Sequence, residues 1–205
     1  MTIRKGEEWG TRIIAPEQLV MLSDDAQLAQ LDPDSIGVLL GGDIHHTLGA
    51  PSPVLPGAEC TQLNIDAIQV TVTTYLLEEF TVLASSRVEI GYFRPRIFKR
   101  QRYKCITNGG VIEGRNLAPR AHPNDGVLDC VEISAEMTFR DRLTAMRKAV
   151  SGTHIPHPQI QVSRSETFAD LGGSNRPDLL IDGRVVPDWL TFSVTVIPDY
   201  WKIVV

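Results

Sequence analysis

Two short runs of the sequence combine residue types that could bind an ion or a phosphate group. The first, residues 117–133 (LAPRAHPNDGVLDCVEI), places His122 and Asp125 ahead of an apolar strand pattern. A carboxylate and backbone carbonyls are oxygen ligands that Mg²⁺ uses in proteins. Asn-Asp-Gly is also a strong turn signal, because Gly accepts positive φ and Asn and Asp bond to their own backbone. A cation-binding loop and a plain turn leading into a strand over residues 127–133 both remain open.

The second run, residues 91–104 (GYFRPRIFKRQRYK), is basic, contains no acid and is interleaved with aromatic residues. One interpretation is a patch for anionic lipid headgroups or another phosphate, since basic groups near a membrane surface contribute about 1 kcal/mol each. The other is a strand with a solvated basic face. The basic residues of this run are Arg94, Arg96, Lys99, Arg100, Arg102 and Lys104.

The histidines and cysteines carry weaker signals. His122, His154 and His157 could suggest a transition-metal cluster, but Pro156 separates the last two, and they lack the i, i+4 spacing of helical metal ligands. A strand-entry segment is the preferred interpretation. The three cysteines are an odd number without CxxC spacing, which argues against a disulfide framework and favours a reducing compartment.

Composition narrows the class of protein. The chain has 205 residues and a formal net charge of −5, which argues against a general nucleic-acid binder. The N-terminus has no apolar region typical of a signal peptide, and no apolar run approaches the ~20 residues of a membrane span. We therefore expect a cytoplasmic protein, peripheral to the membrane if the basic run binds lipid.

The first third of the sequence indicates a small βαβ fragment. An apolar run over residues 19–22 precedes Ser23, which can cap a helix over residues 24–31, and a buried strand follows over residues 36–40. A short helical turn over residues 44–48 ends at Gly49. The Pro- and Gly-rich stretch 50–60 is the expected boundary. Residues 1–60 would form a reduced remnant of an α/β domain, and residues 61–205 a second domain.

The second segment is predicted to be rich in strands, over residues 63–74, 80–90, 97–107, 179–181 and 192–197. One helix is expected over residues 138–151, capped by Thr138 and ended by Gly152. Its apolar stripe would consist of Phe139, Leu143, Met146 and Val150, with the arginines on the polar face. The predicted fold class is therefore α+β and β-rich: a layered antiparallel β-sandwich with one packed amphipathic helix, preceded by the βαβ fragment.

Three motifs in order are similar to the diacylglycerol kinase-type lipid kinases, a family related to the NAD kinases. Residues 106–129 (ITNGGVIEGRNLAPRAHPNDGVLD) resemble the family's Asn-Gly … Ala-Pro-x-Ala-x-x-x-Asp-Gly-x-Leu-Asp run. Residues 152–158 (GTHIPHP) resemble its Gly-Lys-His-x-x-His-Pro run, and residues 179–205 its closing strands. The resemblance covers about half of the chain and implies the family's second domain, a β-sandwich.

The resemblance extends in a weaker form to the first third. Residues 39–51 (LLGGDIHHTLGAP) are similar to the family's Gly-Thr-x-Asn-Asp-Phe-Ala-Arg-Thr-Leu-Gly loop, and Asp25 stands where the family has Gly-Gly-Asp-Gly-Thr. This implies vestigial nucleotide-binding positions at Asp25, Gly41 and Asp43. The missing glycines and Asp24 beside Asp25 argue against ATP, because glycines let backbone N–H groups approach a phosphate and a second carboxylate repels it.

The resemblance also implies a metal site and a lost catalytic group. In the family, the loop corresponding to residues 122–127 binds a structural Mg²⁺, so Mg²⁺ is the candidate cofactor. Its ligands would be the Asp125 carboxylate and the carbonyls of His122 and Val127. Arg184 stands where the family has the catalytic Glu of an Asp-Gly-Glu run, and an Arg cannot act as a general base at neutral pH.

The sequence therefore predicts a lipid-kinase-like protein that has lost phosphotransfer and acts as a lipid- or phosphate-binding or partner-docking module. The alternative is a minimal ATP- and Mg-dependent lipid kinase, completed by a partner chain and using Asp43 and Asp125. A purely structural interaction protein is the third class. Because edge strands of a sandwich are open to pairing, a homodimer is also a candidate assembly.

Overall fold

The computed structural model of the protein describes residues 9–93, 101–170 and 177–205, and every statement below refers to these residues. The strands are β1 (Thr11–Ile14), β2 (Val20–Leu22), β3 (Ile36–Leu39), β4 (Glu59–Thr74), β5 (Glu79–Ala84), β6 (Arg87–Ile90), β7 (Tyr103–Thr107), β8 (Val111–Ile112), β9 (Arg115–Asn116), β10 (Leu128–Ile133), β11 (Ile160–Ser165), β12 (Thr167–Asp170), β13 (Leu179–Ile181), β14 (Arg184–Val186) and β15 (Trp189–Val204). The helices are α1 (Asp25–Leu28), α2 (Asp43–Thr47) and α3 (Phe139–Lys148), and a 3₁₀ turn spans Ala149–Ser151.

The strands form two large sheets and one small hairpin. The first sheet has the order β1-β4-β15-β3-β2, with β5 paired to β4 and β12 paired to β15. The second has the order β11-β10-β7-β6-β13-β14, and β8 pairs with β9. The pairing is antiparallel except where β3 runs parallel to β15 and to β2. The β-rich α+β sandwich predicted from the sequence is confirmed.

The main core lies between the two sheets. Alternate residues of a strand point to one face, so Ile68, Val70 and Val72 of β4 are all fully buried and pack with Val88 and Ile90 of β6. Strands β4 and β15 are each 16 residues long and pair along most of their length. They extend beyond the sandwich, and their outer parts carry β1 and β3.

The N-terminal segment is joined to the sandwich through this shared sheet. Leu22, Leu28 and Ile44 pack with Trp201 of β15 in a second buried cluster. The indole N–H of Trp201 donates to the Leu31 carbonyl at 3.1 Å. The division of the chain at residue 60 stays a prediction, and strands from both sides of it belong to one sheet.

Three local predictions need correction. Helix α1 is a single turn capped by Asp24, not a helix over residues 24–31 capped by Ser23, because the Asp24 carboxylate accepts the N–H of Gln27. The expected strand over residues 80–90 is two strands in different sheets, β5 and β6, separated by Ser85 and Ser86. The expected strand over residues 97–107 begins, among the described residues, at Tyr103, and residues 97–100 lie outside them.

Helix α3 forms where expected but buries a different face. Thr138 caps it, and Gly152 follows the 3₁₀ turn with a left-handed φ of +70°. Phe139 and Val150, two members of the predicted apolar stripe, are exposed, while Arg142 is buried. The cause is a tertiary contact, since Arg142 Nη2 donates to the Gln101 carbonyl at 2.6 Å. Among all the residues that the structure describes, no helix is long and apolar enough to cross a membrane.

Candidate functional site

Asp25 lies beneath the start of α2 and binds it through the backbone. Its carboxylate accepts hydrogen bonds from the N–H groups of Asp43 (2.6 Å) and Ile44 (3.0 Å). The first N–H groups of a helix have no partner within the helix and attract anions. Gly42 permits this approach, since a Cβ at this residue would lie 2.6 Å from Asp25 Oδ1 and its φ is +97°. A carboxylate of the chain itself therefore occupies the N–H groups of this loop.

Gly41 is held close to the preceding strand. A Cβ at Gly41 would lie 2.6 Å from the Ser23 carbonyl oxygen. The structure thus brings Asp25, Gly41 and Asp43, the three vestigial nucleotide-binding positions, into one small region. Whether they bind a nucleotide stays a prediction.

Asp43 is part of a charge network, which we call the Arg87 cluster: the buried Arg87, Asp43, Glu89 and Tyr103, with the exposed Glu113 at its edge. Arg87 Nη1 donates to one carboxylate oxygen of Asp43, and the other oxygen accepts the N–H of Glu113 at 2.9 Å. Arg87 Nε donates to Glu89 at 2.6 Å, and Nη2 lies 3.6 Å from the Glu113 carboxylate. The Tyr103 hydroxyl donates to the second oxygen of Glu89 at 2.6 Å. Each nitrogen of the guanidinium therefore faces a carboxylate.

Burial and charge act in opposite directions on this cluster. Burial raises the pKa of Asp43 to about 6, and the Arg87 guanidinium opposes that rise. Burial also raises the pKa of Asp25, against the two backbone hydrogen bonds that it accepts. The acids around it, Glu89 first, hold the pKa of Arg87 above its usual value despite burial. The cluster thus places one guanidinium among three acidic side chains, and it is acidic overall.

Asp66 of β4 organises the loop from His122 to Val127. Its carboxylate accepts the N–H groups of Gly126 and Asp199, both at 2.8 Å, and the side-chain amide of Asn124 at 3.2 Å. All three donors are neutral, and Asp66 is fully buried. Burial therefore outweighs the hydrogen bonds and raises the pKa of Asp66 to about 6. This contact fixes the Asn-Asp-Gly turn from outside the loop.

The Asp125 carboxylate already has a positively charged partner. Arg164 of β11 donates through Nη2 to Asp125 Oδ2 and through Nε to Asp129 Oδ2 at 3.1 Å. Asp125 Oδ1 accepts the N–H of Val127 at 3.3 Å. One carboxylate that carries a guanidinium does not fit a divalent cation, because the Arg supplies the positive charge that the ion would bring. The described residues contain no group of three or more His, Cys, Asp or Glu side chains suited to a metal.

The imidazole ring of His122 lies against the indole ring of Trp9. The two ring centroids are 4.4 Å apart, and His122 Nδ1 accepts the N–H of Asn124 at 3.2 Å. Burial lowers the pKa of His122. The magnesium site at Asp125, His122 and Val127 stays a prediction. His154 is buried, and burial lowers its pKa too.

The basic run is only partly a surface feature. Lys104 is buried and pairs with Glu132 (3.2 Å) and Asp170 (3.7 Å), so its assignment to a surface phosphate patch is wrong. Arg102 is half exposed but is paired with Asp170 at 2.6 Å. Arg94, Arg96, Lys99 and Arg100 lie outside the described residues. Arg142, expected on the polar face of α3, is also buried.

Asp182, Gly183 and Arg184 form the turn between β13 and the start of β14. Asp182 and Gly183 both have positive φ, as a two-residue hairpin requires. The Asp182 carboxylate accepts the N–H groups of Ser85, Ser86 and Arg87 at 2.8–3.0 Å. Arg184 is exposed beside this turn, and an Arg at this position provides no base.

Sequence reasoning missed the central cation of the site. Arg87 and Glu89 are two apart in a strand and so share one face, while Val88 and Ile90 face the core. An Arg-x-Glu pair alternating with β-branched residues was the available signal. On the adjacent strand, Cys105 pairs with Glu89, and Tyr103 lies on the same face. Asp66 and Arg164 were missed as well, because their partners are distant in sequence.

The fold is a β-sandwich joined to a small α/β segment, and the acidic Arg87 cluster lies at the junction. Residues 97–205, just over half of the chain, match the family described as the YegS C-terminal NAD kinase beta sandwich-like domain. The chain therefore belongs to this family. No curated protein matches the sequence.

Solved structures support the same fold. Three structures of a diacylglycerol kinase, or proposed diacylglycerol kinase, from Bacillus anthracis str. Sterne superpose with TM-scores of 0.60, 0.51 and 0.50. Each is 10% identical in sequence, and each alignment covers 90% of this chain and 76% of the other. At this identity the likeness shows the fold alone. The family match over residues 97–205 confirms the relationship to the NAD kinase-type β-sandwich that the sequence motifs predicted.

Proposed function

We propose that this protein is a diacylglycerol kinase-like protein that does not transfer phosphate and acts as a partner-docking module. One observation carries the proposal: the carboxylates of Asp43 and Glu89 are already bonded to Arg87 and to other groups of the chain. All four carboxylate oxygens of Asp43 and Glu89 accept hydrogen bonds, two of them from the Arg87 guanidinium, so a cation would have to displace these buried donors.

The backbone N–H groups at the start of α2, which correspond to the family's phosphate-binding loop, also have partners within the chain. Asp25 accepts the N–H groups of Asp43 and Ile44, which a phosphate would have to reach. A triphosphate would therefore have to displace a buried carboxylate, against charge repulsion. The position of the family's catalytic base holds Arg184, and the neighbouring Asp182 carboxylate is bonded to backbone N–H groups. The contacts of Arg87 argue against a cation site, those of Asp25 argue against a phosphate site, and Arg184 argues against a catalytic base.

The minimal lipid kinase remains the second candidate, and one observation favours it. Asp25 and Asp43 are in direct contact although they are 18 residues apart. A nucleotide site would need the same two residues in one place. In that case Mg²⁺-ATP would shift Arg87, and Asp43 and Asp125 would be essential.

The decisive experiment is a phosphotransfer assay with radiolabelled ATP and Mg²⁺ on diacylglycerol, sphingosine and NAD, accompanied by calorimetric titration of Mg²⁺-ATP. We expect neither transfer nor saturable binding. Asp43→Asn serves as the matched variant, and exposed Glu136→Gln as the control. Transfer by the wild-type protein that Asp43→Asn abolishes and Glu136→Gln retains would contradict the proposal and establish the minimal kinase.

For the binding role, the described residues favour protein over lipid. Of the six basic residues predicted to form a lipid patch, Arg102 and Lys104 form ion pairs with Asp170. The most exposed large apolar side chains instead lie on the hairpin of β4 and β5. Sedimentation with anionic vesicles, at low and high salt, tests this preference: salt-sensitive binding would restore the lipid interpretation.

A further inference from the structure

The hairpin of β4 and β5 carries several of the exposed large apolar side chains of the described chain, among them the two most exposed. Leu76 and Leu77, in the turn after β4, are 79% and 75% exposed. Leu77 has a φ of +62°, a left-handed conformation that is unfavourable for a branched apolar residue and is normally left to Gly or Asn. Two exposed leucines in a strained turn indicate a surface that binds another molecule.

Strand β5 is an edge strand whose pairing within the described residues is to β4 alone. Phe80 and Val82 lie opposite the fully buried Val72 and Val70, on the face that points to the sandwich core. They are nevertheless 38% and 37% exposed. Long apolar edge strands are usually protected by Lys, Pro or a bulge. Residues 80–83 (FTVL) contain none of these protective residues.

The hydrogen-bond pattern determines which backbone groups of β5 face outward. Thr74 N–H donates to the Glu78 carbonyl at 2.8 Å, at the end of the β4–β5 ladder. In an antiparallel pair, hydrogen-bonded positions alternate along the strand. Phe80 and Val82 therefore bond to β4, and the N–H and C=O groups of Glu79, Thr81 and Leu83 point away from it.

We propose that this edge pairs with β5 of a second copy of the chain, antiparallel, about a two-fold axis at Thr81. The N–H and C=O groups of Glu79, Thr81 and Leu83 can bond only to the same outward groups of the second copy, so the possible registers differ from one another by two residues. The register centred on Thr81 pairs all three of these residues. Thr81 then faces the partner's Thr81, and Phe80 faces the partner's Val82. Glu79 faces the partner's Leu83, so no like charges are opposed.

This register is chemically self-complementary. Aromatic residues opposite β-branched residues, and Thr opposite Thr, are favourable cross-strand pairs, and a two-fold axis repeats each off-axis pair twice. The second copy is favoured over a membrane because Glu78 and Glu79 adjoin the exposed leucines, and acidic residues are repelled by anionic lipid. The inference does not depend on the loss of phosphotransfer, and oligomeric state is measured separately from kinase activity.

The test is analytical ultracentrifugation of the full chain and two variants over a wide range of protein concentration. We expect a dimer for the wild-type protein. Thr81→Pro should be monomeric and folded, because Pro removes an outward N–H, which an edge strand tolerates. Thr81→Lys should also be monomeric, since it places two lysines against each other. The matched control is Val185→Lys on β14, the edge strand of the other sheet, and it should leave the dimer intact.

Crosslinking adds a positive test. Thr81→Cys, in a background without the native cysteines, should form an intermolecular disulfide, because Cα atoms of a hydrogen-bonded antiparallel pair lie about 5.5 Å apart. Val185→Cys should not. A wild-type protein that is monomeric at every concentration would overturn the inference, as would a dimer that persists in Thr81→Lys. A monomer that binds vesicles through Leu76 and Leu77 would assign the tip to a membrane instead.

Discussion

Arg87 is the residue on which the buried charge of the candidate site depends. It lies between three carboxylates, and removing one partner of a buried ion pair leaves the others uncompensated in a medium of low dielectric. The same residue bears on the two functional hypotheses, because the proposed loss of phosphotransfer rests on its contacts with Asp43 and Glu89.

Replacing Arg87 with Met should lower the free energy of unfolding by about 3–5 kcal/mol, the range found when one member of a buried pair is removed. Met keeps the apolar stem of the side chain, so the loss reports mainly the missing guanidinium group. Urea unfolding followed by circular dichroism gives the value. The exposed Arg184→Met is the control and should change stability by less than about 0.5 kcal/mol. Equal effects of the two substitutions would show that Arg87 does not hold the cluster together.

Asp66 provides a pH-dependent test at the scale of one residue. Its pKa is raised from 3.8 to about 6 by burial, so between these values the folded protein binds more protons than the unfolded chain. Stability contributed by Asp66 is therefore highest below pH 4, falls as pH rises to 6, and is constant above. The total change is about 3 kcal/mol at 1.36 kcal/mol per pKa unit.

The measurement compares wild type with Asp66→Asn, which removes the titrating group and keeps its shape. We expect the stability of the wild-type protein, relative to this variant, to decrease between pH 4 and 6. The loss of an acceptor for Gly126 N–H adds an offset that does not depend on pH. Glu136→Gln, at an exposed position, should show a difference from wild type that is flat over this range. A flat difference for Asp66→Asn as well would contradict the raised pKa.

At the scale of elements, the corner between β5 and β6 is built by a residue far away in sequence. Ser85 and Ser86 leave the first sheet and Arg87 begins the second, and the Asp182 carboxylate accepts the N–H groups of all three. Ser86 Oγ also donates to Asp182 at 2.8 Å. One carboxylate thus satisfies the backbone groups that the broken strand would leave unpaired.

Asp182→Ala should cost about 2–3 kcal/mol of stability, because charged hydrogen bonds are lost and buried N–H groups are left without an acceptor. Asp182→Asn keeps one acceptor oxygen and tolerates the positive φ of this residue, so it should cost about half as much. Chemical denaturation of both variants checks the order. An Ala variant as stable as the Asn variant would mean that water replaces the carboxylate and that the corner does not depend on it.

This corner shows what the sequence can and cannot predict. The strands on either side are β-branched and apolar, so local pattern indicated one strand over residues 80–90, and the break comes from a residue 97 positions later. The same distinction applies to helix α3. Its position follows from Thr138 and Gly152, but the buried face depends on the hydrogen bond from Arg142 to the Gln101 carbonyl. Caps and strands are encoded locally. Corners and buried faces depend on contacts between distant segments.

The residues of the candidate site also fall into two groups, those that the motifs predict and those that only the tertiary structure shows. Motif resemblance indicated Asp25, Gly41 and Asp43, and the structure brings these residues together. Arg87 and Arg164 were not predicted, because an Arg in a strand normally indicates a solvated face and their carboxylate partners come from other elements. The positions of the acids were therefore predictable from a motif. The identity of their counter-ions required the tertiary structure.

At the scale of the whole molecule, β15 links two cores. Trp189, at its start, packs in the sandwich core with Phe192, and Trp201, near its end, packs with the N-terminal leucines. Because β4 pairs with β15 from Trp189 to Val204, unfolding of one core would break the sheet that supports the other. We therefore expect the two cores to unfold as one cooperative unit.

Two single-tryptophan proteins test this coupling: one keeps only Trp189 and the other only Trp201, with the remaining tryptophans replaced by Phe. In each protein, tryptophan fluorescence and circular dichroism should give coincident urea transitions, because each probe then reports the same two-state equilibrium. Comparing probes within one protein removes any difference in stability between the variants. If Trp201 fluorescence instead changes at lower urea than circular dichroism, while Trp189 fluorescence follows it, the N-terminal segment unfolds separately. That result would support a domain boundary near residue 60 and would place Asp25, Gly41 and Asp43 in the less stable unit.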